Sequence, residues 1–264
     1  MSRTLAAITG ASSGIGAVFA RKLAAQGYDL LLIARRRDRL AQLAAELPDT
    51  HSECMVADLA TPEGIGEVAS RLAEDPRLGL LVNNAGFGTK GRFYEAPIEE
   101  QARMHRVHID ATLRLTHAAL GGMVRRDQGA IINVASVAGF VRSPANVSYC
   151  ATKTWINAFT EGLYLELKGA GSKVVVQSLC PGFTYTEFHD VAGVDRATVP
   201  KRLGLWMSAD AVVDASLAAL PKRKLFVIPG WRYGLFVSLA TKLPIGARLW
   251  LEARSPHTRG RMKR

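Results

Sequence analysis

The chain has 264 residues, 48% hydrophobic and 22% charged, an ordinary globular usage that excludes a disordered, fibrous or multiply membrane-spanning protein and fits one α/β unit with one large core. Its formal net charge of +11 invites an anionic partner, but the cations gather at Arg35, Arg36, Arg37 and Arg39, at Lys222, Arg223 and Lys224, and in the tail 254–264, with no helix-turn-helix or zinc-finger spacing, so nucleic-acid binding is not expected. The three cysteines, Cys54, Cys150 and Cys180, read as separate reduced thiols, and the N-terminus lacks a signal-peptide core and cleavage site, so a cytoplasmic setting is expected.

From residue 4 to 228 short apolar runs alternate with longer segments of helical period, the pattern of a parallel sheet covered on both faces. The first strand, 4–9, ends in Thr9, Gly10, Ala11, Ser12, Ser13, Gly14, Ile15 and Gly16, and a helix over 15–26 follows. Glycine is required where a backbone must turn tightly and approach a phosphate, and helix N-terminal N–H groups then receive the anion, so Gly10, Ser12, Ser13, Gly14, Ile15 and Gly16 form the candidate pyrophosphate cradle. The second strand, 28–34, is followed by Arg35 and Arg36, where an enzyme using NAD usually carries an acid. A guanidinium suits a 2′-phosphate by charge and by its forked donors, so Arg35, with Arg36, points to NADP.

A helix over 37–47 leads to a third strand, 51–57, with Asp58 and Leu59 just beyond it as adenine-side candidates. Thr61 before Pro62 caps a helix over 62–74. The fourth strand, 78–83, ends in Asn84, Ala85 and Gly86, candidates for the ribose side. One long helix is predicted over 98–126, then a fifth strand, 130–135, ending at Ser136. A helix over 149–169 opens with Tyr149, Cys150, Ala151, Thr152 and Lys153. Tyr149 and Lys153, four apart, project from one helical face. A free phenol with pKa near ~10 is a poor base at neutral pH, and a neighbouring ammonium with an oxidised nicotinamide stabilises its phenolate, while Ser136 holds the substrate oxygen. A sixth strand, 173–179, a helix over 209–220 capped by Ser208, and a seventh strand, 224–228, complete the repeat.

In order and spacing, Thr9 to Gly16, Asn83 to Gly86, Ser136, Tyr149 with Lys153, and Pro181, Gly182, Phe183, Thr184, Tyr185 and Thr186 resemble the short-chain dehydrogenase/reductase family over residues 4–230. The resemblance implies a Rossmann-type doubly wound parallel sheet of about seven strands in a single domain. It also implies hydride transfer with Tyr149 as acid/base, Lys153 gripping the nicotinamide ribose, and Thr184 and Thr186 near the carboxamide and phosphate, with Asn84 approaching the ribose. It departs at His108, which stands where the family usually has an asparagine that helps hold a water leading to the catalytic lysine. Imidazole titrates near neutrality, so His108 is expected to take over that proton relay, against a packing change with reduced activity as the alternative. No metal site is expected, because His105 and His108 lack further ligands at suitable spacing.

Residues 1–230 are thus read as a dinucleotide-binding catalytic unit with a substrate loop at 183–207. There Phe183, Tyr185, Phe188, Leu203, Leu205, Trp206 and Met207 imply an apolar pocket for a hydrophobic carbonyl or alcohol. Residues 231–264 form an amphipathic segment and basic tail. The segment 231–254 is interrupted by Pro244 and too short to span a bilayer, which leaves three uses open: lying on an anionic membrane, closing the pocket, or packing against a second subunit in a homo-oligomer. The competing function is a non-catalytic NADP-binding sensor or scaffold that has lost turnover.

Overall fold

Apolar residues that alternate in facing direction decide the sheet. The computed structural model describes residues 3–89, 91–187 and 204–254. In β1 (Leu5–Thr9) and β2 (Asp29–Ala34) every residue is buried, and successive side chains enter opposite cores. Ala6, Ile8, Leu30 and Leu32 pack with Phe19, Leu23 and Val212 on one face. Leu5, Ala7, Leu31 and Ile33 pack with Ile65, Leu72 and Leu115 on the other. Such a strand has no solvent face and reads as one continuous apolar run.

With β3 (Ser52–Val56), β4 (Leu78–Asn83), β5 (Ala130–Val134), β6 (Val175–Leu179) and β9 (Phe226–Val227), these strands form a seven-stranded sheet, all neighbours parallel, in the order β3-β2-β1-β4-β5-β6-β9. The order reverses between β1 and β4, and the crevice at the carboxyl ends there is where open α/β sheets bind ligands. One side carries α1 (Gly14–Ala25), α2 (Arg37–Ala45) and α7 (Ala209–Ala219), the other α3 (Pro62–Glu74), α5 (Thr112–Arg125) and α6 (Val147–Gly169).

Four features differ from the sequence pattern. The edge strand β3 is half-exposed along its length, because no strand pairs beyond it among the described residues. The last strand shrinks to two residues paired with Ser178 and Leu179. The long helix is continuous but is α4 (Ile98–His105), a π-helical segment Arg106–Ala111 and α5. A small second sheet pairs β7 (Thr184–Tyr185) with β8 (Met207–Ser208), and α8 (Trp231–Lys242) and α9 (Ile245–Arg254) follow, parted at Leu243 and Pro244.

Thr61 Oγ1 accepts the Gly64 N–H at 3.1 Å with Pro62 at the first helical position, so one orphan donor of α3 is satisfied by a side chain. Thr61→Ala should lower the unfolding free energy by about 1 kcal/mol, read as a lower urea midpoint at unchanged slope; an unchanged midpoint would show that the cap contributes nothing.

Candidate active site

Gly10 and Gly14 have φ of +66° and +56°, the left-handed region that side chains disfavour. A Cβ on Gly10 would lie 2.9 Å from Ala85 Cα, and one on Gly16 would run into the Gly10 carbonyl. The turn is therefore pressed against β4. Thr9 Oγ1 accepts the N–H groups of Asn84 and Ala85, both at 2.9 Å, and the Asn84 amide donates to the carbonyls of Thr9 (2.9 Å) and Gly10 (3.3 Å). The Asn84 nitrogen thus braces the turn rather than facing a ribose. Ser13 precedes α1 without a side-chain cap bond, which leaves the first-turn N–H groups of Gly14, Ile15 and Gly16 directed at the crevice, a ready anion site.

Of the two arginines, it is Arg36 that reaches the glycine turn. Arg36 donates to Ser12 Oγ (3.1 Å) and Ser13 Oγ (2.8 Å), which sets its guanidinium over the glycine turn, and it meets Glu187 at 3.1 Å. Arg35 is exposed and makes no hydrogen bond or ion pair among the described residues. The Asp58 carboxylate accepts from Ala60 N–H (3.0 Å) and Arg103 (3.2 Å), with lone pairs to spare. Leu59 has its side chain in the core and offers the crevice backbone alone. Thr186 lies against Gly14, whereas buried Thr184 turns its hydroxyl to the Gly182 carbonyl at 3.1 Å.

The opening turn of α6 brings the other candidates together. Lys153 is 4% exposed and donates to the Val134 carbonyl at the end of β5, 2.8 Å away. Its Nζ is 5.8 Å from the centroid of the Tyr149 ring. Burial pushes the Lys153 ammonium down to about 7 and the Tyr149 phenol up to about 12, the latter opposed by a hydrogen bond with Ser136. Ser136 Oγ also accepts the Ala138 N–H at 3.1 Å, fixing it beside the phenol. Around neutral pH the phenol keeps its proton, while the amine sits near its midpoint, so a modest change of local charge switches the amine.

The family pattern described as short chain dehydrogenase matches residues 4–196. The chain belongs to the short-chain dehydrogenase family. A solved short-chain dehydrogenase from Sphingobium yanoikuyae in complex with NADPH is 37% identical, with a TM-score of 0.82 over 96% of each chain. A bulky-bulky ketone specific alcohol dehydrogenase from Comamonas testosteroni is 30% identical, with a TM-score of 0.78 over 93% of this chain and 96% of that one. An uncharacterized oxidoreductase of Staphylococcus epidermidis is 34% identical over 80% of this chain and 90% of its own. This short-chain dehydrogenase is accordingly an oxidoreductase dependent on NAD or NADP.

His108, the departure from the family pattern, sits in the π-helical segment at 1% exposure. Its Nε2 accepts the Phe87 N–H at 3.2 Å, so the ring proton belongs on Nδ1, which donates to Thr152 Oγ1 at 2.9 Å; Thr152 donates in turn to the Tyr149 carbonyl, also at 2.9 Å. Both nitrogens are spent on the scaffold. Neither of these two ring bonds of His108 leads to Lys153. Burial first, then the Lys153 charge, hold its pKa well below 6.5. The imidazole is a neutral tie between the loop after β4 and the helix that carries Tyr149.

The apolar wall is partly assembled. Trp206 stacks on Tyr185 at 4.9 Å between centroids and meets Phe183 at 5.3 Å, and Leu205 and Met207 pack beside them. Phe188 and Leu203 lie outside the described residues, as does the tail 255–264. The sequence pattern assigned no role to Thr9, Thr152 or Tyr233. The Tyr233 hydroxyl donates to Leu205 O (2.7 Å) and accepts the Phe183 N–H (3.0 Å), and its ring occupies the space a Cβ on Gly182 would need. The segment 231–254 therefore closes one side of this region through Tyr233.

In the unfolded chain His108 takes up a proton as pH falls below ~6.5 while the folded protein resists it, so the unfolded state binds more protons and stability falls as the solution is acidified. The urea midpoint should drop between pH 7 and pH 5, and His108→Asn should flatten that drop. An equally steep drop in the variant would show that His108 does not carry the acid sensitivity.

Proposed function

We propose that the chain is an NADP(H)-dependent enzyme that moves a hydride between the nicotinamide and a hydrophobic carbonyl or secondary alcohol, with Tyr149 as acid/base. The observation that carries this reading is the convergence of a partly buried phenol and a buried amine, one helical turn apart, beside Ser136, with Lys153 Nζ close to Gly86 beyond β4. The crevice fits a dinucleotide on its own terms: two glycines at positive φ, a third with no room for a Cβ, and uncapped N–H groups at the start of α1. Gly10, Ser12, Ser13, Gly14, Ile15, Gly16 and Thr186 would hold the phosphates, with Asp58, Leu59, Ala85, Gly86, Lys153 and the Pro181–Gly182–Phe183–Thr184 backbone lining the remainder.

For the 2′-phosphate the favoured cation is Arg36, with Arg35 free to swing in from solvent. Arg36 and Glu187 are each nearly half-exposed, so their ion pair contributes on the order of 1 kcal/mol or less. A phosphate dianion offering several acceptors to the same fork replaces it readily.

When bound, the cofactor supplies or accepts the hydride. Ser136 and the Tyr149 hydroxyl then hold the substrate oxygen. In the reducing direction a phenol held up to about 12 keeps its proton until negative charge develops on that oxygen, and then donates it. In the oxidising direction Tyr149 must take the proton, which needs the phenolate, and the Lys153 ammonium favours that form. The aromatic wall of Phe183, Tyr185 and Trp206 supports a bulky, apolar substrate over a sugar.

A panel of lipophilic ketones assayed with NADPH and NADH in parallel tests the reading. Tyr149→Phe should lower kcat by about a hundredfold or more with little change in KM for NADPH. Arg36→Ala should raise KM for NADPH by roughly tenfold while leaving that for NADH in place, and Arg35→Ala should do less. No turnover across the panel despite tight NADPH binding would favour a sensor or scaffold, and a larger NADPH effect in Arg35→Ala would reverse the assignment of the two arginines.

A further inference from the structure

Half of the large hydrophobic side chains exposed among the described residues fall between residues 231 and 251. They are not the product of a loosely placed segment. α8 is fastened inward by Tyr233, Val237 and Ala240, one narrow stripe at helical spacing, with both Tyr233 hydroxyl bonds made to the substrate-side backbone. α9 is anchored by Glu252, which accepts the Arg142 N–H at 3.1 Å. With those faces committed, Trp231, Leu235 and Leu239, four residues apart in turn, and Ile245, Leu249 and Trp250 beyond the Pro244 break, remain turned to solvent.

The charge along this segment is mostly of one sign. Its described residues carry Arg232, Lys242, Arg248 and Arg254 against one carboxylate, Glu252, and by sequence residues 231–264 hold +7 of the chain's +11. Glu252 is itself partly neutralised by Arg248 at 3.9 Å. The Arg232 guanidinium lies over the Trp231 ring at 5.2 Å, a cation and an aromatic side by side as interfacial anchors are. No helix among the described residues is long and apolar enough to cross a membrane.

We propose that the outer face of α8 and α9 docks on an anionic lipid bilayer, with Trp231, Leu235, Leu239, Leu249 and Trp250 entering the headgroup boundary and the surrounding cations meeting lipid phosphates. Exposed apolar side chains and positive charge carried by one segment are the two terms that hold a helix in the plane of such a surface. A second copy of the chain fits less well. A twofold interface sets a patch against itself, and here it would oppose two equally positive segments with a single carboxylate each to offset them. Docking of this kind brings the wall that Tyr233 fastens, Phe183 and Leu205, next to the lipid surface.

The test is flotation of the full chain with vesicles of phosphatidylcholine alone or with about one third phosphatidylglycerol. The chain should float with the anionic vesicles and stay behind with the neutral ones, and its partitioning should fall at least about tenfold in the triple variant Leu235→Ser, Leu239→Ser, Leu249→Ser. These side chains are exposed, so the variant should keep the wild-type melting curve. A second variant, Lys242→Glu with Arg254→Glu, should lose anionic binding with the apolar face intact. Equal flotation of wild type and triple variant, or none by either, overturns the proposal. Failure to float together with a sedimenting dimer that the triple variant splits would assign the face to a second copy.

Discussion

The bond from Lys153 Nζ to the Val134 carbonyl is the constraint on which the site depends. It draws a flexible, charge-bearing side chain into a place with 4% exposure and ties the first turn of α6 to the end of β5. The desolvation it entails holds the ammonium down at about 7 and, in the same dry space, the phenol up at about 12. A lysine left in water would be a permanent cation and a tyrosine left in water an inert acid. Held here, the amine stands near its midpoint at neutral pH, while the phenol keeps its proton until positive charge is brought beside it.

The sheet supplies the rigidity that makes such placement meaningful. Val134 and Ser136 leave β5, the glycine turn leaves β1, and Asn84 leaves β4, so three adjacent strands deliver the parts of one crevice at the reversal of strand order. Asn84 and Thr9 brace β4 to the turn, and His108 with Thr152 links the loop beyond β4 to the helix of Tyr149. Asn84, Thr9 and His108 meet backbone groups at the strand ends and in the loop beyond β4, and Thr152 ties the His108 ring to the first turn of α6. Their work lies in holding the crevice open and in register.

Much of this was legible in the residues. Strands buried on both faces announce themselves as uninterrupted apolar runs, and Thr61 before Pro62 marked the start of α3 as the structure has it. The glycine turn was legible because sterics leave few other residues able to occupy it. What was hidden is directional. Arg35 and Arg36 differ by one position at the end of a strand, and which of them turns to the glycine loop depends on how the chain leaves the sheet. The π-helical segment that turns His108 inward carries no periodic signature of its own, and a titratable ring read from sequence as a relay proved to have both nitrogens committed. The bond of the Tyr233 hydroxyl with the Phe183 N–H joins residues fifty apart, and nothing local foretells it. The edge strand β3 and the two-residue β9 departed from expectation because burial depends on what lies beside a strand.

The state of the Tyr149 phenol can be followed directly by NMR of protein labelled at the tyrosine Cζ, with its resonance assigned by its loss in Tyr149→Phe. In the cofactor-free protein the resonance should remain that of a phenol until about pH 12, and saturation with oxidised cofactor, which brings a positive ring to the crevice, should move the transition clearly downward. A phenol that titrates near the ordinary value of ~10, with and without that charge, would contradict a dry, charge-switched site.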